Sequence, residues 1–202
     1  MPPLSGPTIA QRPLAYVDRL AGRPLSRVRR IVLHCTELPD LAMARDWGER
    51  IVHPSGTGNS GHYYIDRDGA IECWVPPDRV AHHVRNHNAD SLGIELVNDG
   101  RWPDWYHSRR QRPVEPYAGA QIDALIGLLR WLPRILPALD GLIGHEELDT
   151  GEVAASDDSE VRVRRKIDPG PLFPWPRVIA GCGLVRLSHS PNPDHPASRH
   201  ER

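Results

Sequence analysis

The alternation of apolar and polar positions along the 202-residue chain predicts strands and helices that follow one another in mixed order. The run at 28–34 is rich in β-branched residues and too short for a helix, so it predicts a buried strand. Residues 63–65 and 71–75 flank a turn signal at 66–69 and predict a hairpin. A further strand is expected at 91–97.

Helical spacing is clearest between residues 120 and 136. Apolar residues recur there at intervals of three and four positions, and prolines limit the segment at Pro133 and Pro137. Shorter helices are expected at 14–20, at 41–51 and from Pro174 onward. Because strands and helices interleave, the pattern favours an α/β fold with helices packed against one sheet.

The chain is long enough for one ordinary domain with its own core. We expect residues 1–27 to form an N-terminal surface extension and 28–187 the domain. The polar, proline-rich segment 188–202 predicts a disordered tail. In the acidic segment 150–164 we expect a loop.

The charge balance argues against nucleic acid and membrane partners, because 25 Lys and Arg face 26 Asp and Glu. Three scattered cysteines do not predict a disulfide framework, and residues 1–23 lack the features of a secretory signal. These features predict a cytoplasmic protein; the oligomeric state stays open. Lys166 is the single lysine beside 24 arginines.

Two local motifs point to other functions and are set aside. Gly56, Gly58 and Gly61 match the spacing of a dinucleotide-binding loop, but a strand-like segment follows where that motif requires a helix. Residues 145–149 resemble a metalloprotease helix with Asp149 in place of the second histidine. We expect a loop at the first motif and no protease helix at the second.

The candidate chemistry is scattered along the chain. His34 ends the first buried strand, His145 follows an apolar Leu-Ile-Gly segment, and Asp168 lies before Pro169. Two histidines and one carboxylate suit zinc with an open coordination position, which allows the ion to activate water for hydrolysis. By residue type alone, a histidine at a strand end is more often a structural residue than a metal ligand.

Five ordered segments add a family resemblance, namely Ile31-Val32-Leu33-His34-Cys35-Thr36, Gly61-His62-Tyr63-Tyr64-Ile65-Asp66-Arg67-Asp68-Gly69, Ser91-Leu92-Gly93-Ile94-Glu95-Leu96, Ile143-Gly144-His145 and Lys166-Ile167-Asp168-Pro169-Gly170-Pro171. Together they resemble the type 2 N-acetylmuramoyl-L-alanine amidases, especially the AmpD-like branch. The resemblance implies a mixed central β-sheet flanked by helices, in a single domain like that of peptidoglycan recognition proteins.

The resemblance also implies residue roles. His34, His145 and Asp168 match the Zn²⁺ ligands, and Glu95 matches the glutamate that accepts a proton from the attacking water. Lys166 matches a lysine that stabilises the oxyanion. Alternatively, Glu95 is a solvated strand residue and Lys166 ends a solvated basic cluster with the two preceding arginines.

Three further residues match positions that line the substrate groove in relatives: His62, His83 and Asn88. The alternatives are a packed strand residue at His62 and a turn former at Asn88. Relatives often carry tryptophan where His82 stands, so the resemblance does not extend to the sugar-stacking surface. Relatives also usually have a shorter connection between the second histidine and the aspartate ligand, which makes the acidic loop at 150–164 an insertion that either covers the groove or has no role.

The implied function is hydrolysis of the amide bond between N-acetylmuramic acid, in its 1,6-anhydro form, and L-alanine in imported cell-wall muropeptides. Two other functions fit the same residues. One is a peptidoglycan-fragment binding module without activity, and the other is a zinc endopeptidase that cuts within the stem peptide. Metal content and the identity of the products distinguish the three.

Overall fold

The predicted strands form one mixed, six-stranded sheet in the computed structural model, which describes residues 6–188. The strand order is β1-β4-β3-β5-β2-β6, and only the β3–β4 hairpin is antiparallel. The strands are β1 (Ala10–Gln11), β2 (Arg30–Cys35), β3 (Tyr63–Ile65), β4 (Ile71–Cys73), β5 (Ser91–Leu96) and β6 (Gly141–Gly144). The mixed α/β fold is therefore confirmed.

Helices cover the sheet much as the periodicity predicts. The long helix is α2 (Gly119–Trp131), which continues into a 3-10 turn at Leu132–Arg134. The others are α1 (Leu41–Gly48), the single-turn α3 (His145–Leu148) and α4 (Trp175–Cys182). The helix expected at 14–20 is only a 3-10 turn, at Val17–Arg19.

The main core lies between the sheet and the pair α2 and α4. Ile31 and Leu33 of β2 are completely buried in one apolar cluster with Leu125 of α2 and Val178 of α4. Because successive side chains of a strand point to opposite faces, Val32 and His34 face away from this core. The other face of the sheet carries the candidate polar residues together with two smaller apolar clusters.

Gln121 fastens α2 to the sheet. Its side chain is fully buried, and its amide nitrogen donates to the carbonyl oxygens of Ile65 and Val97, at 2.9 and 3.0 Å. These carbonyls lie at or just beyond the ends of β3 and β5, and that of Ile65 also accepts from the Val97 amide at 3.0 Å. A polar residue inside the apolar face of a helix therefore adds hydrogen bonds to backbone groups at the ends of the strands.

The N-terminal segment does more than lie on the surface. β1 pairs in parallel with β4 at one edge of the sheet, and Leu14, Tyr16 and Leu20 are buried in a second apolar cluster with Trp74. The Arg23 guanidinium donates to the backbone carbonyls of Pro77, Asn88, Ala89 and Ser91. The described part of the extension is thus integral to the fold.

The acidic insertion forms a hairpin rather than a loop. β7 (Glu152–Ala154) pairs antiparallel with β8 (Arg162–Arg164) in a separate two-stranded sheet. The Asp157 carboxylate accepts hydrogen bonds from the amide and hydroxyl of Ser108, both at 2.7 Å. These contacts attach the hairpin to the segment that follows β5.

The remaining expectations concern termini and thiols. The tail predicted at 188–202 lies outside the described residues, apart from Ser188. All three cysteines are described and have free thiols, which agrees with the absence of a disulfide framework. No helix among residues 6–188 has the length and apolar character that a membrane crossing requires.

A pair of valines tests where the stabilising core lies. Val178 is 0% and Val185 64% exposed, so Val178→Ala should lower the free energy of unfolding by about 1–3 kcal/mol. The matched change Val185→Ala should alter it by less than about 0.5 kcal/mol. Urea unfolding measures both; equal effects would contradict the packing described above.

Candidate active site

The register of the parallel strands places the candidate residues in one row. His34 of β2 lies directly opposite Glu95 of β5, which in turn lies opposite Tyr64 of β3. On the other side, Leu33 pairs with Gly144, the last residue of β6. His145, the next residue and the first of α3, therefore lies beside His34. The row faces away from the α2 core, at the carboxyl ends of the strands, where α/β sheets form their ligand sites.

Asp168 reaches the row from a loop. Its backbone carbonyl accepts a hydrogen bond from the amide of Glu146 at 2.8 Å, which holds the loop against α3. The Tyr117 hydroxyl donates to the carbonyl of Pro169 at 2.7 Å. These two bonds hold the backbone at Asp168 itself and at the residue that follows it.

Three potential ligand atoms converge at this point. The Nδ1 atoms of His34 and His145 are 2.9 Å apart, and the Asp168 Oδ2 atom lies 3.1 and 3.0 Å from them. All three residues are at most 3% exposed. A tetrahedral zinc ion, with bonds of about 2.0–2.2 Å, holds neighbouring ligand atoms about 3.3–3.5 Å apart. The triangle therefore needs only a small expansion to accept the ion.

The chemistry of the donor set also fits a divalent cation. The Asp168 Oδ1 atom is buried and, among the described residues, has no hydrogen-bond partner. Burial, and next the charge of His145, lowers the pKa of His34 to about 4. Burial also opposes ionisation of Asp168, but the charges of His145 and Lys166 outweigh it and hold the pKa of Asp168 well below its ordinary value. A neutral imidazole and an ionised carboxylate are the forms that bind metal.

Glu95 stands at the edge of this cluster. Its Oε1 atom is 3.9 Å from His34 Nδ1. Burial, and next the charge of Asp168, raises the pKa of Glu95 to about 8, although Lys166 acts in the opposite direction. A β-carbon at Gly61 would lie 2.6 Å from the Glu95 Cγ atom, so glycine is required there for the carboxylate to keep its position. The alternative of a solvated strand glutamate does not match this burial.

Lys166 lines the same groove, which has a volume of about 730 Å³. The neighbouring arginines, by contrast, are used in structural contacts. Arg164 donates to the carbonyl of Glu146, and Arg165 forms an ion pair with Asp149. Lys166 is therefore not simply the end of a solvated basic cluster.

A buried ion pair ties the loop that carries Lys166 and Asp168 to the end of β2. Arg101 donates to both carboxylate oxygens of Glu37 at 2.7 and 2.9 Å, and both side chains are at most 7% exposed. The same guanidinium donates to the carbonyls of Arg164 and Arg165, at 2.8 and 3.2 Å. Glu37, three residues after His34, has a positive φ of 51°. The sequence carried no recognised signal for this pair.

The three residues expected to line the groove occupy different positions. His83 and Asn88 line it. His62 does not: it is 0% exposed, and its ring accepts a hydrogen bond from the Gly93 amide at 3.0 Å. The structure therefore places His62 as the packed residue of the alternative interpretation, beneath the groove rather than in it.

Several groove residues carried no motif. Three arginines lie along its wall, Arg50, Arg85 and Arg165, so its lining beyond the metal cluster is cationic. His53 also lines the groove and packs against His82, with ring centroids 4.4 Å apart and the ring planes inclined by 44°. Residue type alone does not distinguish such arginines and histidines from ordinary surface groups.

Both set-aside motifs have structural roles. The residues after Gly61 form β3, not a helix that could bind a pyrophosphate. In the protease-like segment, α3 does form one helical turn, but Asp149 faces Arg165 and the amide of Gly151 instead of the metal cluster. Glu147 caps the same turn by accepting from the Gly144 amide at 2.9 Å.

The chain is similar in sequence to known proteins. The sequence pattern of the family described as N-acetylmuramoyl-L-alanine amidase matches residues 24–171. The chain is 28% identical over 175 residues to the N-acetylmuramoyl-L-alanine amidase AmiD of Escherichia coli, a match that covers 79% of this chain and 55% of AmiD. It is 33% identical over 138 residues to the 1,6-anhydro-N-acetylmuramyl-L-alanine amidase AmpD of Salmonella typhimurium, which covers 64% of this chain and 58% of AmpD. The chain thus spans a little over half the length of these relatives.

Comparison with solved structures agrees with the sequence matches. The solved complex of AmiD from E. coli with anhydro-N-acetylmuramic acid-L-Ala-D-γ-Glu-L-Lys matches with a TM-score of 0.59 at 25% identity, over 86% of this chain and 62% of that one. The resemblance and the type 2 amidase fold expected from the five motifs are both confirmed. Because the family pattern covers most of the chain, including every candidate ligand, this protein belongs to the N-acetylmuramoyl-L-alanine amidase family.

Proposed function

We propose that this protein is a zinc-dependent amidase that hydrolyses the bond between N-acetylmuramic acid and L-alanine in muropeptides. The observation that carries the proposal is the convergence of three buried donor atoms, from His34, His145 and Asp168, within 3.1 Å of one another beside Glu95. Bound there, Zn²⁺ would polarise the amide carbonyl and lower the pKa of water. No separate cofactor is needed for this chemistry.

The chain's own residues supply the proton transfers. Glu95 would accept a proton from the attacking water and return one to the amine of L-alanine as the amide bond breaks. Its buried position favours this role, because a carboxylate in a poorly solvated site is a stronger base than one in water. Lys166 would place its ammonium group where negative charge develops on the carbonyl oxygen.

The groove favours an acidic peptide beyond the scissile bond. Of the three arginines of the groove wall, Arg165 already pairs with Asp149, whereas Arg50 and Arg85 are suited to the carboxylates of a stem peptide. The substrate that we propose is the 1,6-anhydro muropeptide, which the name of the AmpD relative specifies for that protein. The cytoplasmic location expected from the sequence stays a prediction.

Zinc content and product identity test the proposal together. The wild-type protein should hold about one zinc ion per chain and release intact stem peptides from anhydro-muropeptides, as measured by metal analysis and mass spectrometry. His34→Ala should lose both zinc and activity. Glu95→Gln should keep zinc but lower kcat by about 10²–10⁴-fold. Zinc binding without turnover would identify a binding module, and cleavage within the stem would identify an endopeptidase.

Lys166 provides a separate test of transition-state stabilisation. Lys166→Ala should lower kcat by about 10²–10³-fold with a much smaller change in KM, because the contact forms mainly in the transition state. Arg162→Ala, which removes an exposed positive charge from the nearby hairpin, is the control and should keep kcat. A change confined to KM in the Lys166 variant would contradict the assigned role.

The raised pKa of Glu95 also predicts a pH-dependent stability of the metal-free protein. A carboxyl whose pKa rises from 4.5 to about 8 on folding favours the folded state below pH 4.5. That contribution is lost as the pH rises through 8, and Glu95→Gln removes the loss. The variant should therefore gain stability relative to wild type between pH 5 and 9, by a few kcal/mol at most. Urea unfolding with chelator present measures this gain; parallel pH profiles would count against it.

A further inference from the structure

Behind His34, on the side opposite the ligand triangle, a line of three hydrogen bonds leads to a backbone carbonyl. His34 Nε2 lies 3.0 Å from His83 Nδ1. The other nitrogen of His83, Nε2, lies 3.2 Å from the hydroxyl oxygen of Ser91, which lies 2.6 Å from the carbonyl oxygen of His87. We call this line the His83–Ser91 chain.

The direction of every hydrogen bond in this chain follows from its last member. A carbonyl oxygen only accepts, so the single hydroxyl hydrogen of Ser91 must point to His87. Ser91 then accepts from His83, whose hydrogen must lie on Nε2. The His83 Nδ1 atom is consequently an acceptor, and the hydrogen between the two rings belongs to His34 Nε2.

This assignment decides which atom of His34 is free to bind metal. A neutral imidazole carries one hydrogen, so a hydrogen on Nε2 leaves a lone pair on Nδ1. That Nδ1 atom faces His145 and Asp168 at 2.9 and 3.1 Å. The opposite direction of the chain would put the hydrogen on Nδ1 and block the metal site.

We propose that His83 and Ser91 are positioning residues, which hold His34 in the tautomer and orientation that bind the zinc ion of the proposed function. Both nitrogens of His83 are used in this chain, so neither remains to hydrogen-bond a substrate. His83 lines the groove as expected from the sequence, and its proposed role there is an indirect one, through His34.

Other residues hold the His83 ring in place. The Asn88 side-chain oxygen accepts from the amides of His83 and Val84, at 3.0 and 2.8 Å. At Gly93 a β-carbon would lie 2.7 Å from the His83 ring, so the strand leaves space for the imidazole only because glycine is there. Asn88 thus acts as a turn former that serves the same chain.

The second histidine lacks such support. The Nε2 atom of His145 is buried and has no hydrogen-bond partner among the described residues. His34 is therefore the ligand whose tautomer the protein controls. Outer hydrogen bonds of this type usually alter metal affinity when they are removed, by about 10–100-fold.

The proposal is tested by measuring the zinc affinity of the whole protein, in competition with a chromophoric chelator. His83→Leu removes the acceptor for His34 and should weaken zinc binding by about 10–100-fold. His83→Gln offers an amide oxygen in place of Nδ1 and should recover part of that loss. Ser91→Ala removes the hydroxyl that fixes the direction of the hydrogen bonds in the His83–Ser91 chain. It should weaken zinc binding by about 10-fold, at the lower end of the range.

A matched control separates this effect from the loss of any buried hydroxyl. Thr57 is 1% exposed, and its hydroxyl contacts that of Ser55 at 2.7 Å, not a histidine. Thr57→Val should leave the zinc dissociation constant within about twofold of wild type. Circular dichroism in the presence of chelator shows whether each variant folds. If Ser91→Ala does not fold, the comparison of His83→Leu with His83→Gln tests the proposal instead.

Nitrogen-15 NMR of the imidazoles gives a readout that does not depend on activity. Two-bond proton–nitrogen correlations should show His34 protonated on Nε2 in wild type, with and without zinc, and a mixture of tautomers in metal-free Ser91→Ala. An unchanged tautomer, or a zinc affinity within about twofold of wild type in both Ser91→Ala and His83→Leu, overturns the proposal. Tight zinc binding without amidase turnover would instead overturn only the proposed function.

Discussion

The register between β2 and its two parallel neighbours is the constraint on which the site depends. Side chains of a strand alternate between faces, so a shift of one residue would turn His34 into the apolar core and Leu33 into the groove. Burial of Ile31 and Leu33 against α2 opposes that shift. The packing that stabilises the fold therefore also orients the first ligand and, opposite it, Glu95.

The polar face of the sheet is costly to build. It buries the imidazoles of His34 and His145 and the carboxylate of Asp168 beside the largely buried Glu95, and it leaves Asp168 Oδ1 without a partner among the described residues. An unsatisfied buried polar group costs about 1–3 kcal/mol, and an unpaired charge costs more. A divalent cation at the ligand triangle would offset these costs, since it attracts every donor that the folded chain brings together. The apolar layer across the sheet supplies stability that does not depend on the cation.

Lys166 and Asp168 lie on a loop, and the structure holds that loop with buried hydrogen bonds. The Arg101–Glu37 pair connects the end of β2 to the backbone just before Lys166. The insertion at 150–164 enters the same region as a hairpin, and its second strand ends two residues before Lys166. The hairpin inserted between His145 and Asp168 therefore leaves the loop that carries Asp168 firmly held.

Much of this protein follows from local sequence. Periodicity predicted β2, β5 and α2, because burial on one face or both leaves a pattern within a few residues. The ordered motifs predicted the ligand set, whose three atoms the structure brings together. The hairpin at 150–164, the edge strand β1 and the Arg101–Glu37 pair were not predicted, and the sequence left open whether His62 lines the groove or packs beneath it. Apart from the hairpin, whose strands are close in sequence, each depends on contacts between distant segments: Arg101 and Glu37 are 64 residues apart, and His62 and Arg23 are 39 apart. Sequence patterns identified which side chains have the right chemistry, whereas tertiary packing decided which of them face the groove and which support it.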